Sequence, residues 1–471
     1  MTVALADVLT VRDVCAVADG EAIELGEGAR RRIATARELT ERLLEGGERV
    51  YGLTTGVGAL KRVDVTASQQ ASFNRLLLQS HRTGTGASAP DRVVRAAMVV
   101  QLGGFSAGRS GVGLPLAERL VRALNGGITP PVRTIGSLGQ SDLGPLADLA
   151  CGLLDDPALG EPWEPTSKEA LAFVNSNAFS LGWAALALAD AAQVLARLDG
   201  SAALTFEGML GNVQALDPAV AEARPTPGLA ASIERLRSLL EGGALLSAGN
   251  LHRDLQDSLS LRVTPQTHAA AHVALEHATM IVEAELTSSH DNPAITPDGR
   301  ALSNGNFDSV PYGVALDYLR LALAHAITIS CERTHKLLTS SFSGLPSGLR
   351  DRDDSSEDGL GISVYGATAA AAEARLLAQP TTLDLPTTST AEGIEDRVSS
   401  VTLAARRLEQ QAALGCYVAA VESYCAAQAI DLRGRSADLG SGTRAAYERV
   451  RAVAPRRQMG EPPLSDFSAL V

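Results

Sequence analysis

Apolar positions recur at helical spacing over most of this chain. From Glu27 to Leu44 they fall at three- and four-residue intervals, and the run stops at Gly46-Gly47. The same spacing predicts helices over 68–81, from Asp142 and Leu143 through Leu154, and over the Ala/Leu-rich stretch 178–204. A long helix carries His268, His272 and His277 to roughly Ser288, another covers 310–340, and further ones cover 359–379 and the stretch up to Leu432. Residues 1–26 read differently. Val8, Leu9, Val11 and Val14 alternate with polar positions, which predicts short extended segments. Several prolines over 214–230 mark a connection between helical blocks, and the tail from Pro455, with Pro462-Pro463, reads as loosely held.

Composition sharpens this picture. Of 471 residues 45% are hydrophobic but only 4% aromatic, with Ala and Leu abundant, so a mainly α fold with a large core is expected. The net charge of −13 and the lack of a long basic run argue against a nucleic-acid partner. Five cysteines (Cys15, Cys151, Cys331, Cys416, Cys425) without C-x-x-C spacing read as reduced thiols of a cytoplasmic protein. Asp7, Arg12 and Asp13 interrupt the apolar N-terminus, so no signal peptide is expected there. No run of about 18 uncharged apolar residues occurs, so no membrane span is expected either.

One stretch organises the rest: Gly136-Ser137-Leu138-Gly139-Gln140-Ser141-Asp142-Leu143-Gly144-Pro145-Leu146-Ala147. It is a glycine-rich loop opening a helix, and Ser141 sits where backbone N–H groups and the helix dipole favour negative charge. A second glycine-rich loop, Val50-Tyr51-Gly52-Leu53-Thr54-Thr55-Gly56-Val57-Gly58, lacks the Lys-Ser/Thr that a phosphate cradle requires. Gly104-Phe105-Ser106-Ala107-Gly108 has the G-x-S-x-G form of a nucleophile elbow, but the strand–helix alternation of that fold is missing. His268 and His272, four apart on a helix, could share a metal; no third ligand is evident, so packed histidines and no metal are expected. Arg350 to Asp358 reads as a solvated charged loop.

The organising stretch resembles the signature of the aromatic amino acid ammonia-lyases (histidine and phenylalanine ammonia-lyases, tyrosine aminomutases), G-S-x-G-A-S-G-D-L-A-P-L. In that family Ala-Ser-Gly cyclises with loss of two waters to a methylidene-imidazolone, the electrophile that makes ammonia leave. Here Gln140 stands for the alanine and Asp142 follows Ser141 directly, without the glycine. Further motifs follow in family order. Tyr51 matches the lid tyrosine that serves as base, with Thr54 and Val57 replacing the usual Asn and Phe. Gln79-Ser80-His81 resembles S-H-A-x-G and maps His81 to a site-lining histidine, although a histidine before a glycine turn is also a common C-cap. Lys168 to Asn177 resembles K-E-G-L-A-L-x-N-G-T, with Asn175 as the donor position. Leu255 to Gln266 resembles Q-D-x-Y-S-L-R-C-x-P-Q, so Gln256 matches and Arg262 falls at the carboxylate clamp, where a guanidinium fork binds bidentately. Leu259 stands where the second tyrosine is expected. Asp291-Asn292-Pro293 matches a D-N-P turn, Phe307 matches the phenylalanine of S-G-G-N-F-H with Asp308 for the histidine, and Pro386 to Ser399 resembles P-T-S-A-N-Q-E-D-H-V-S, with Glu395 at the amine-handling glutamate and Arg397 for a histidine.

The resemblance implies an ammonia-lyase-like fold with a central bundle of long helices, and a homotetramer whose sites are shared between subunits. It divides the chain into residues 1–205, carrying both loops, and 206–471, carrying the long helices. It assigns catalytic roles to Tyr51, Glu395, Ser141 and His81, and substrate contacts to Arg262, Asn175, Gln256, Phe307, Gln140 and Leu259. The altered triad disfavours ring closure, because a Cβ at its third position resists the tight turn. No cofactor is therefore expected. General base catalysis contributes only about 10²–10⁴-fold, which cannot replace a prosthetic group for a weakly acidic β-proton. The leading expectation is a prosthetic-group-free enzyme for elimination, addition, isomerisation or cyclisation of an activated, carboxylate-bearing, amino acid-derived small molecule. Two alternatives stand beside it: a methylidene-imidazolone-dependent ammonia-lyase or aminomutase, and a non-catalytic binding or assembly homologue.

Overall fold

The computed structural model describes residues 2–5, 8–247, 251–352, 356–383 and 390–470. Among them the chain is mainly helical, with three two-stranded pairings. Contacts divide it into two compact units built from discontinuous segments: Met1–Ala189 with Ala278–Leu316 and Pro380–Arg406, and Asp190–His277 with Asp317–Gln379 and Arg407–Val471. Position 205 falls inside the helix Ala178–Met209.

The N-terminal expectation is corrected. Thr2–Leu5 pairs in parallel with Ala22–Leu25, but the intervening Val11–Ala18 is a helix. Thr10 caps it by accepting the Asp13 N–H at 3.2 Å, while the Asp13 carboxylate accepts the Thr10 N–H at 3.0 Å. This reciprocal capping outweighs a short run of alternation and buries Val14 and Val17.

In the first unit the helices Glu27–Glu45, Asp91–Ser106 and Leu143–Leu154 appear where the apolar spacing puts them, save for the unassigned middle one. Phe173 anchors this core, with the rings of Phe105 and Trp163 at 6.1 and 5.8 Å between centroids. Ser106 ends its helix buried, its hydroxyl donating to the Leu102 carbonyl, so the G-x-S-x-G stretch forms no elbow. The antiparallel pair Thr85–Ser88 and Arg133–Ile135 leads the chain into the organising loop.

The second unit holds residues 264–277 of the helix Thr264–Leu286, Ala178–Met209 from Asp190, Val310–Leu338 from Asp317 and Val401–Leu432 from Arg407. Glu422 is fully buried there and accepts the hydroxyls of Ser201, Thr205 and Ser330 and the guanidinium of Arg333. His268 and His272 both meet Asp199, at 2.6 and 2.9 Å, which makes them a packed hydrogen-bonded node. Among the described residues three helical runs, Glu169–Met209, Val310–Leu338 and Val401–Leu432, are long and apolar enough to cross a membrane by length and composition, a property that counting uncharged runs passes over. Their apolar windows are 67–78% buried inside the protein, so the core already consumes that surface.

Candidate active site

The loop around Ser141 is held from three sides. Gly139 has φ +81°, and a Cβ there would lie 2.0 Å from Ser399 Oγ, so only glycine fits. Its carbonyl accepts the hydroxyls of Ser309 and Ser399. Ser141 is buried at φ 67°, in the left-handed region. Its N–H donates to Asn177 Oδ1 at 3.1 Å and its hydroxyl to Asn175 Oδ1 at 2.7 Å. Asp142, fully buried, donates its N–H to the Ser176 carbonyl at 2.7 Å. Its carboxylate accepts Ser137 Oγ at 2.6 Å and the N–H and hydroxyl of Ser180 at 2.7 and 2.8 Å. Burial pushes this carboxyl up, and those hydrogen bonds pull it back down.

The break between Glu169–Val174 and Ala178–Met209 is what frees Asn175 and Asn177 to reach the loop. Asn175 Nδ2 donates to the Asn292 carbonyl at 3.1 Å, with Asp291 Oδ1 at 3.4 Å. Asp291 pairs with Lys168 at 2.5 Å, and the two side chains are 4% and 0% exposed. Burial lowers the lysine and raises the carboxyl, while their mutual attraction opposes both shifts. Lys168 and Asp291 support Asn175 from behind, and periodicity does not mark them. Their only signal is membership of the two matched motifs.

Tyr51, His81, Gln140, Asn175, Phe307 and Glu395 line one cavity of about 1260 Å³. Gly52, at φ +64°, lets the Tyr51 turn press on Leu171, whose Cδ2 would lie 2.2 Å from an added Cβ. The Tyr51 hydroxyl accepts the Gly58 N–H at 2.8 Å. Burial raises its pKa and Glu395 raises it further, so the phenol rests protonated. His81 both follows the helix Gln70–Ser80 as its cap and lines the cavity. Its Nδ1 lies 2.8 Å from the Leu77 carbonyl, which can only accept, so Nδ1 carries a proton and donates there. Glu395 accepts the Thr390 hydroxyl at 3.1 Å, and Arg397 lines the same wall. Pro386 to Ser389, the start of that motif, lie outside the described residues.

Three expected residues are not brought to this cavity. Gln256, Leu259 and Arg262 belong to the second unit. Gln256 and Arg262 line a separate cleft of about 310 Å³ with Asn212, Asp257 and Gln266. The Arg262 Nε there has no hydrogen-bond partner among the described residues. Leu259 is 63% exposed.

The profile of the aromatic amino acid lyase family matches residues 9–452. The chain belongs to that family. Histidine ammonia-lyase of Deinococcus radiodurans is 37% identical over 463 residues, 94% of this chain and 87% of that protein. Histidine ammonia-lyase of Trypanosoma cruzi superposes with a TM-score of 0.90 at 27% identity, covering 100% of this chain and 92% of its own. The ergothioneine-degrading enzyme ergothionase of Treponema denticola superposes at 0.89 with 28% identity, covering 97% and 95%. The mainly α, ammonia-lyase-like fold follows.

Similarity of this aromatic amino acid lyase to histidine ammonia-lyases, along nearly its whole length, overturns two expectations. The leading one, an enzyme without the methylidene-imidazolone, gives way to the alternative that uses it, and the expected absence of a cofactor falls with it. The objection behind both was a Cβ at the third triad position. The Asp142 side chain is received by Ser137, Ser180 and Thr402 in a built hole beside the loop, and Ser141 already takes up a left-handed turn. The residues present therefore fit a group built at Gln140-Ser141-Asp142, with Asn175 and Asn177 as its holders.

Proposed function

We propose that this lyase is a methylidene-imidazolone-dependent aromatic amino acid ammonia-lyase, with L-histidine as the first substrate to assay. The observation that supports it most is the 37% identity to a histidine ammonia-lyase over 94% of the chain. When present, the group supplies the electrophile that turns the amine into a leaving group. The chain's own residues do the rest. Tyr51 moves the β-proton, and Glu395 handles the amine and sets the charge that Tyr51 feels. His81 and Phe307 flank the ring within the cavity. Asn175 and Asn177 fix Ser141 through its hydroxyl and its N–H.

The substrate carboxylate is assigned to Arg262, with Gln256 beside it, supplied by another copy of the chain. The spare Nε of Arg262 and the exposed Val314, Tyr318 and Leu321, which share a helix face at spacings of four and three, support a homotetramer with shared sites. A cytoplasmic location accords with the unpatterned cysteines. The likeness to ergothionase makes ergothioneine the second compound to assay.

The deciding experiment is the intact mass of the purified protein. A mass short by two waters, mapped to the peptide containing Gln140–Asp142, with ammonia released from L-histidine, is the expected result. A full-length mass overturns the reading.

A further inference from the structure

Gln140 and Asp308 both depart from the family pattern, and they meet. Their backbones form an isolated antiparallel bridge, and Gln140 Nε2 donates to Asp308 Oδ1 at 3.0 Å. The same Oδ1 accepts the Val310 N–H at 3.0 Å, which fixes the carboxylate on the first turn of the helix Val310–Leu338. An ionised carboxylate can only accept, so Gln140 must turn its NH₂ toward Asp308. The amide oxygen is thereby turned away, on a side chain that lines the cavity. That oxygen has no partner among the described residues.

We propose that Asp308 positions Gln140 as an acceptor that selects substrates whose ring carries an N–H donor. An imidazole meets the amide oxygen; a phenyl ring leaves it desolvated and unpaired. A buried acceptor without a partner is penalised more than a formed hydrogen bond is rewarded, so discrimination comes mostly from rejection of the wrong ring. The inference rests on the proposed reading that this cavity takes an aromatic amino acid.

The test uses two unreactive probes that share a carboxylate and chain and differ only in the ring: 3-(imidazol-4-yl)propionate and 3-phenylpropionate. Binding to the full-length protein is measured by calorimetry, so turnover does not enter, and the intact mass of each sample reports the state of the loop that carries Gln140. Wild type should bind the imidazole probe about tenfold more tightly. Gln140→Leu should abolish that preference. Asp308→Asn, which keeps size and the cap on Val310 but can donate as well as accept, should erode it by leaving the Gln140 amide free to flip. A preference that survives both substitutions, equal affinities in wild type, or binding of neither probe overturns the inference. A full-length mass with the preference intact would instead overturn only the prosthetic group of the proposed function.

Discussion

The Ser141 hydroxyl donates a hydrogen bond to Asn175 Oδ1 at 2.7 Å, and Asn175 is itself oriented by what lies behind it, the Asn292 carbonyl and Asp291. The two ends of the Asn175 side-chain amide thus face opposite ways for a stated reason. Its NH₂ must meet acceptors, so its oxygen must meet Ser141. Asn175→Leu keeps the size and removes both contacts. Loss of about 10²-fold in kcat is expected, the scale of a misplaced reacting group, with the melting temperature changed little by comparison. A steady-state assay beside a melting curve checks it.

Lys168 and Asp291 carry opposite charges with almost no exposure. Removing one partner leaves the other charge buried alone. Lys168→Met should cost about 3–5 kcal/mol of stability, and Lys168→Met with Asp291→Asn should recover most of that. Denaturant midpoints of the three proteins decide. If the double variant is no better than the single, the pair is not the source of the loss.

Tyr51 must lose its proton to act as a base, so the rate should rise with pH toward the titration of its phenol. Burial places that titration above the ordinary 10.0, and the negative charge of Glu395 raises it further. Glu395→Gln removes that contribution, so the alkaline limb of the kcat profile should move to lower pH. A limb that stays in place, or moves up, would show that another group titrates. Tyr51→Phe should remove the limb along with about 10²–10⁴-fold of the rate.

Copies that complete each other's sites can complement. Tyr51→Phe and Arg262→Ala chains should each be nearly inactive alone. Co-expressed, they should regain a fraction of activity through sites that draw Tyr51 and Arg262 from different intact copies. No recovery in mixed oligomers, shown to be mixed by native mass spectrometry, would place both residues on one chain's site.

The helices were legible where apolar spacing runs long enough to dominate, as in Glu27–Glu45 and Leu143–Leu154. Val11–Ala18 was not, because eight residues are too few for periodicity to outweigh alternation; Thr10 and Asp13 held the usable signal. Tyr51, His81, Gln140, Asn175, Phe307 and Glu395 could be named from motifs because each sits in a loop or helix end with a short local signature. Lys168 and Asp291 lie 123 positions apart, and no local pattern reports a pairing at that distance. The altered triad was misjudged for a related reason: whether a Cβ is tolerated at Asp142 depends on Ser137, Ser180 and Thr402, and two of those come from far along the chain.

By itself, the order of residues determined the helical class, the family and most of the short segments that meet at one cavity, since each of these is written in local spacing and composition. Only the tertiary structure decided what those segments do to one another. It turned Asn175 toward Ser141, put a lysine behind it, kept the Tyr51 phenol protonated, and set Gln140 against Asp308. Hydrogen-bond direction and desolvation depend on which groups meet and how far water is excluded, and both are properties of the packed chain.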